Sequence, residues 1–231
     1  MPKNALRFSG IINKAIFPAL SRLHAKNQTR EAANLLLQST RHLNLFTGLS
    51  MAFLATFANA ITTAWLGPKN EHIATILCVF TIALHTHMLT APISSYYRAI
   101  QKPIKEFIFN LNQTILIAIF FSSFWFATHD IFLAINSSLF LALTLTSFLY
   151  LMQAKRTFAL PSKDLWQGAI LPGILPYAIA LTLRQIMVPT GPLLFLLFAI
   201  YFLLTASSIY LILKREERKR IREFVTLRIF F

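Results

Sequence analysis

Apolar residues run along this chain in blocks too long for strands of a soluble core. Six blocks stand out: Leu43–Leu66, Ile73–Tyr97, Phe107–Ala127, Ile131–Met152, Trp166–Val188 and Leu193–Leu213. Each has roughly the 20 residues that a helix needs to cross a hydrocarbon layer. Backbone in lipid must satisfy its own hydrogen bonds, so helices are the natural spanning form. The alternation of period two that marks barrel strands is absent. The pattern predicts an all-α, polytopic integral membrane helix bundle.

The polar stretches between the blocks carry a second signal. Arg22, Lys26, Arg30 and Arg41 precede the first block, against Glu31 alone. "GPKNEH" is short and nearly neutral. "RAIQKPIKE" is basic, "THD" has only Asp130 as a full charge, "QAKRTFALPSKD" is basic and "VPTGP" is uncharged. The tail "KREERKRIREFVTLR" is basic again. Basic and non-basic connections alternate across all six blocks. By the positive-inside rule the basic side is predicted to be cytoplasmic, and the C-terminus with it.

Composition agrees. The chain has 231 residues, 56% of them hydrophobic, with 13% charged and a formal net charge of +14; its mean hydropathy is +0.59. A soluble domain of this size could not hide so much apolar surface. Few but mostly basic charges on such a chain point to loops at a lipid surface, and no nucleic-acid partner is expected. Cys78, the one cysteine, lies in an apolar block and is expected to behave as a small buried apolar residue.

The stretch before the first block admits three readings. Ala5–Ser21 is half apolar, interrupted by Arg7, Asn13 and Lys14. A targeting peptide fits the lack of acidic residues before Glu31, although Lys14 breaks the apolar core of a secretory signal. An amphipathic helix lying in the membrane interface is the second reading. A span lining a wet cavity, with neighbours shielding its charges, is the third. Arg7 and Lys14 are seven apart and so fall on one helical face.

Several stretches resemble a known family. "IFPALSRLHAKNQTREAANLLLQSTRHLNLFTGLSMAFLATFANAITTAWLGP" is similar to the second and third helices of a lobe in polysaccharide and lipid-linked oligosaccharide flippases. These Wzx-like proteins share a superfamily with the multidrug MATE exporters. "APISSYYRAIQKPIKEFIFNLNQTILIAIF" resembles the next turn, a basic loop near "RAxxKP" followed by a polar-started helix, with Gln101 where the family often has glycine. The basic ending "KREERKRIREF" is similar to the family's tails. The six blocks and the weaker Ala5–Ser21 stretch make about seven expected transmembrane helices, which resemble one lobe of such a flippase with two extra helices. Residues 1–154 would form a lobe lacking its first helix, 155–213 two additional C-terminal helices and 214–231 a basic cytoplasmic tail. Such flippases have two lobes, so the expectation is a split or truncated half that pairs with a second lobe or a second copy. The implied place is the bacterial cytoplasmic membrane.

The chemistry of the spans separates the branches of that superfamily. All eight acidic residues lie in loops or the tail by this reading. A cation-coupled drug exporter commonly uses an intramembrane carboxylate, and none is offered. What lies in or near the bilayer is basic: Arg7, Lys14 and Arg184. A cationic cavity suits the pyrophosphate of a polyprenyl-linked sugar, whose oxygens accept charge-assisted bonds. Arg7, Asn13 and Lys14, with Asn112 and His85 on neighbouring helices, are therefore the expected substrate contacts. Arg184 is near the outer end of its block and is expected to snorkel to the interface. His85 and His87 are two apart, point to different helical faces, and are expected to make interhelical hydrogen bonds rather than bind a metal together. Asn110, Asn112 and Gln113 open a span, either as hydrated helix-start residues or as sugar contacts. Pro172 and Pro176 are expected to kink their span. No cofactor is implied. No paired carboxylates, Ser-His-Asp set or zinc spacing points to an enzyme. A lipid-linked oligosaccharide flippase component is the expected function. A non-transporting membrane subunit or degenerate remnant is the alternative, and half of a multidrug exporter the second.

Overall fold

The computed structural model describes residues 16–67, 71–186, 199–205 and 207. All regular structure among them is helical. Helix α1 covers 16–25. It is followed by α2 (Thr29–Thr56), α3 (Ala58–Leu66), α4 (Glu71–Met88), α5 (Ala91–Ala99), α6 (Ile104–Thr128) and α7 (Ile131–Thr157). A π-helical segment, Asp164–Ile170, and a 3₁₀ turn, Leu171–Gly173, lead into α8 (Leu175–Ile186). Contacts divide the chain into two compact units, Met1–Tyr177 and Ala178–Phe231. In the second, residues 199–205 are helical and Thr205 Oγ1 donates to Tyr201 O at 2.6 Å. The rest of this description concerns the first unit.

Three stretches are long and apolar enough to cross a membrane: His72–Ala99, Ile104–Thr128 and Ile131–Thr157. A fourth is α2 with α3, if that pair, bent by 60°, is one broken span. The protein is thus an all-helical chain with three to four candidate spans among its described residues. Its surface fits lipid. On α6 the side chains of Ile104, Phe107, Ile108, Leu111, Ile115, Ile119 and Phe126 are exposed, and of the whole helix only Phe109 is buried. Apolar exposure on that scale belongs against hydrocarbon rather than water.

The expected block Leu43–Leu66 differs from the structure at both ends of its logic. Its helix begins far earlier, at Thr29, so Glu31 to Arg41 is not a loop. The turn that stops α1 is at Asn27, whose φ of 54° allows Gln28 N–H to reach Leu23 O at 2.9 Å. Beyond it no proline interrupts the helix, and "EAANLLLQ" is strongly helix-forming. The block is also broken at Phe57. Neither Pro nor Gly sits there, but Thr56 Oγ1 bonds back to Ala52 O at 2.8 Å, a bond that tends to bend helices.

The hairpin of α6 and α7 is closed by local chemistry. His129 takes the left-handed conformation, φ 54°, and its N–H caps Trp125 O. Asp130 Oδ1 then accepts from Phe132 N–H at 2.9 Å and Leu133 N–H at 3.1 Å, which starts α7. Small residues Ala134, Ser138, Ala142, Thr146 and Ala154 line the buried side of α7 and let its neighbours approach closely. At the other end, Arg98 and Glu106 form a two-pronged ion pair that ties the end of α5 to the start of α6. Leu20, Leu36, Tyr97, Phe109, Tyr150 and Leu165 share one core there. The basic connections are therefore gathered around a single end of the bundle.

Candidate functional site

Two polar centres, one buried and one half-buried, lie between the helices. The first grows from α2. Its hydroxyl residues answer to their own helix: Thr40 Oγ1 donates to Leu36 O at 2.9 Å and Thr47 Oγ1 to Leu43 O at 2.8 Å. Asn44, on the same face between them, has an amide too large for that and reaches outward. Its Nδ2 donates to Ala169 O at 2.7 Å and to Ile170 O at 2.6 Å. Its Oδ1 is then the acceptor for His85 Nε2, 2.7 Å away on α4. That pairing puts the proton of His85 on Nε2. The His85 ring stacks on Tyr177, with centroids 5.4 Å apart and planes at 18°.

The carbonyls that Asn44 meets lie at the junction where this helix changes form, for a reason written in the sequence. Pro172 and Pro176 have no N–H to give, and their rings clash with the carbonyl four residues back. A regular α-helix cannot pass through them, so the chain widens to π geometry at Asp164–Ile170 and tightens to 3₁₀ at Leu171–Gly173. The expected kink is thus a full interruption. The close fit depends on glycine: a Cβ on Gly173 would lie 1.9 Å from Asn44 Oδ1, and one on Gly48 would lie 2.6 Å from Gly173 O.

The second centre joins α4, α6 and α7. Gln113 Nε2 lies 3.1 Å from His87 Nδ1 and 3.3 Å from Thr146 Oγ1. His87 stacks on Phe109 at 5.8 Å, and Phe109 on Tyr150 at 4.3 Å. His85 and His87 thus serve different partners on different helices, as two residues two apart on a helix must.

The sequence-predicted site residues do not come together among the described residues. Arg7, Asn13 and Lys14 lie outside them, and the side chain of Arg184 does too. His85 is buried in the first centre. Asn112 is exposed on α6 and lines an open groove of about 270 Å³ between α6 and α7, with Phe109, Thr146, Tyr150 and Gln153. Sequence reasoning missed Asn44, Gly48, Gly173 and Tyr177. It also placed Arg41 in a basic loop, whereas Arg41 lies within α2 and is only 7% exposed. Two prolines four apart did forecast a break in that helix, but not that Asn44 would meet the carbonyls beside it.

The five described acidic residues have plain structural duties. Glu31 and Glu106 sit in first turns, Asp164 opens the π-helical segment, Glu71 opens α4 and Asp130 caps α7. Negative charge at a helix start is stabilised by the unpaired N–H groups there. Among the described residues no group of three or more His, Cys, Asp or Glu is placed to hold a metal ion.

Fold and site together define an all-helical protein of the membrane type with a polar seam inside. No family model, curated protein or solved structure matches the chain.

Proposed function

We propose that this chain is a transport component of a bacterial cytoplasmic membrane. It passes a polyprenyl-pyrophosphate-linked oligosaccharide between leaflets for surface polysaccharide assembly, with its basic end in the cytoplasm. The observation that carries the reading is Arg41, a buried cation on α2 beside the polar seam of Thr40, Asn44 and Thr47. A guanidinium held in an apolar bundle is costly, and such residues commonly mark the path of a charged substrate. Its planar fork suits two oxygens of a pyrophosphate. The described carboxylates all stand at helix starts, so the seam favours an anionic substrate over a cationic drug. A non-transporting membrane subunit is the second reading. The closed hydrogen bonding of Asn44 and His85 favours it, because that centre would also serve as plain structural glue.

The test is genetic and chemical together. Deleting the gene in a strain that makes surface polysaccharide should stop its export and leave lipid-linked oligosaccharide in the inner leaflet. The parent chain should restore export, Arg41→Lys in part, and Arg41→Gln not at all at equal membrane abundance. Normal export after deletion would overturn the transport reading. Full rescue by Arg41→Gln would leave the subunit reading in its place.

A further inference from the structure

The groove between α6 and α7 points to a ligand that transport does not require. We infer that it holds one phospholipid with an anionic headgroup, bound at the basic end of the bundle. Its floor and walls are apolar, from Ile108, Ile115, Leu116 and Leu149, and suit a length of acyl chain. Polarity enters at Asn112 and Gln153, which face the groove from opposite helices. Amides there can donate to ester and phosphate oxygens, which accept but do not donate.

Charge decides the headgroup. Lys105 precedes Ile108 and Phe109 by three and four residues, so it continues the α6 wall by one turn. Arg156 follows Gln153 by three and continues the α7 wall in the same way. Both point the register toward the end where the basic connections gather. Arg156 is exposed and Lys105 half-buried. The neighbouring carboxylate, Glu106, is already paired with Arg98 and does not cancel them. The mouth is therefore cationic, the throat is an amide pair and the interior is hydrocarbon. That order matches an anionic phospholipid from headgroup to tail, and basic sites between helices at the cytoplasmic face commonly take such lipids. A zwitterionic lipid would fit the walls equally but gain little at the mouth.

The full chain, purified in mild detergent, is offered phosphatidylglycerol or phosphatidylcholine with identical acyl chains. Bound lipid is counted by native mass spectrometry. Phosphatidylglycerol should be retained over phosphatidylcholine by roughly thirtyfold, the weight of two interfacial cations. Lys105→Gln with Arg156→Gln should bring the two lipids level. Arg22→Gln with Lys26→Gln, which removes equal charge from α1 and its end, should keep the preference. Leu116→Trp, which fills the groove, should reduce both lipids. Equal retention by the parent chain would overturn the proposal without reference to any variant. So would a preference that survives loss of Lys105 and Arg156, or one lost equally with Arg22 and Lys26. None of these outcomes depends on whether the chain transports anything.

Discussion

The side chain of Asn44 holds the carbonyl of Ala169 at 2.7 Å, across 125 residues of chain. One amide thus supports a π-helical segment, and a histidine supports the amide. In hydrocarbon such bonds are individually modest, about 0.6 kcal/mol on average and up to about 1.7. Asn44→Leu removes three of them at nearly constant volume. It should lower stability by about 2–3 kcal/mol in a reversible unfolding measurement in detergent micelles. A double-mutant cycle of Asn44→Ala and His85→Ala should show a coupling of about 1 kcal/mol. Additive single effects would mean that the His85 bond contributes nothing.

The glycine contact next to that amide makes a sharper prediction. Gly173→Ala puts a methyl carbon where Asn44 Oδ1 now lies, and Gly48→Ala drives one into backbone at Gly173. Asn44 is tied by its own bonds and Gly173 by the broken helix, so neither can step aside freely. Each substitution should cost about 1–3 kcal/mol, the usual range for overpacking. Gly67→Ala tests a different effect. Among the described residues no atom stands near its Cβ, but its backbone, φ 85° and ψ 169°, lies where almost only glycine is found, so it should cost about 1–3 kcal/mol through backbone strain alone.

Much of the helical framework was legible because hydropathy averages well over long apolar blocks. The blocks at Ile73, Phe107 and Ile131 became the three clearest candidate spans. The start of α2 was not legible. Its polar residues, Ser39, Thr40 and Arg41, are buried, whereas a hydropathy reading treats polar residues as wet. The opposite faces of His85 and His87 followed from spacing alone. Asn44 did not, because its partners are backbone carbonyls at the junction of a distant, interrupted helix. The count of seven spans came from six apolar blocks and the weaker Ala5–Ser21 stretch, and reaches into residues outside those described.

Four helix ends close with a left-handed residue that is not glycine: Asn27 with φ 54°, Gln101 with φ 58°, His129 with φ 54° and Ala159 with φ 48°. At Gln101 the N–H of Lys102 reaches back to Tyr97 O at 2.8 Å, and at Ala159 that of Leu160 reaches Lys155 O at 3.0 Å. These are the bonds of a helix ending that glycine favours. Both Gln101 and Ala159 are exposed, so packing does not oppose a change. Left-handed geometry costs an L-residue about 1–2 kcal/mol, partly offset by the greater entropy that glycine loses on folding. Gln101→Gly and Ala159→Gly should each raise stability by roughly 0.5–1 kcal/mol. A fall in stability for both would mean that these turns are not left-handed in the membrane.

Orientation can be read at two places that the structure puts at opposite ends of the bundle. The His72 ring lies 5.8 Å from Phe132, which brings the starts of α4 and α7 together. Lys102 lies in the turn between α5 and α6, beside the core of Tyr97 and Tyr150. Both residues are exposed, so a thiol at either will meet a reagent from its own side. The basic end should be cytoplasmic, because cationic loops are retained there. In a Cys78→Ala background, His72→Cys should react with an impermeant thiol reagent in intact cells. Lys102→Cys should react only after permeabilisation. Labelling of both in intact cells would mean that the two ends do not face opposite sides. The reverse pattern would turn the bundle over, and would place Lys105 and Arg156 in the outer leaflet with their lipid.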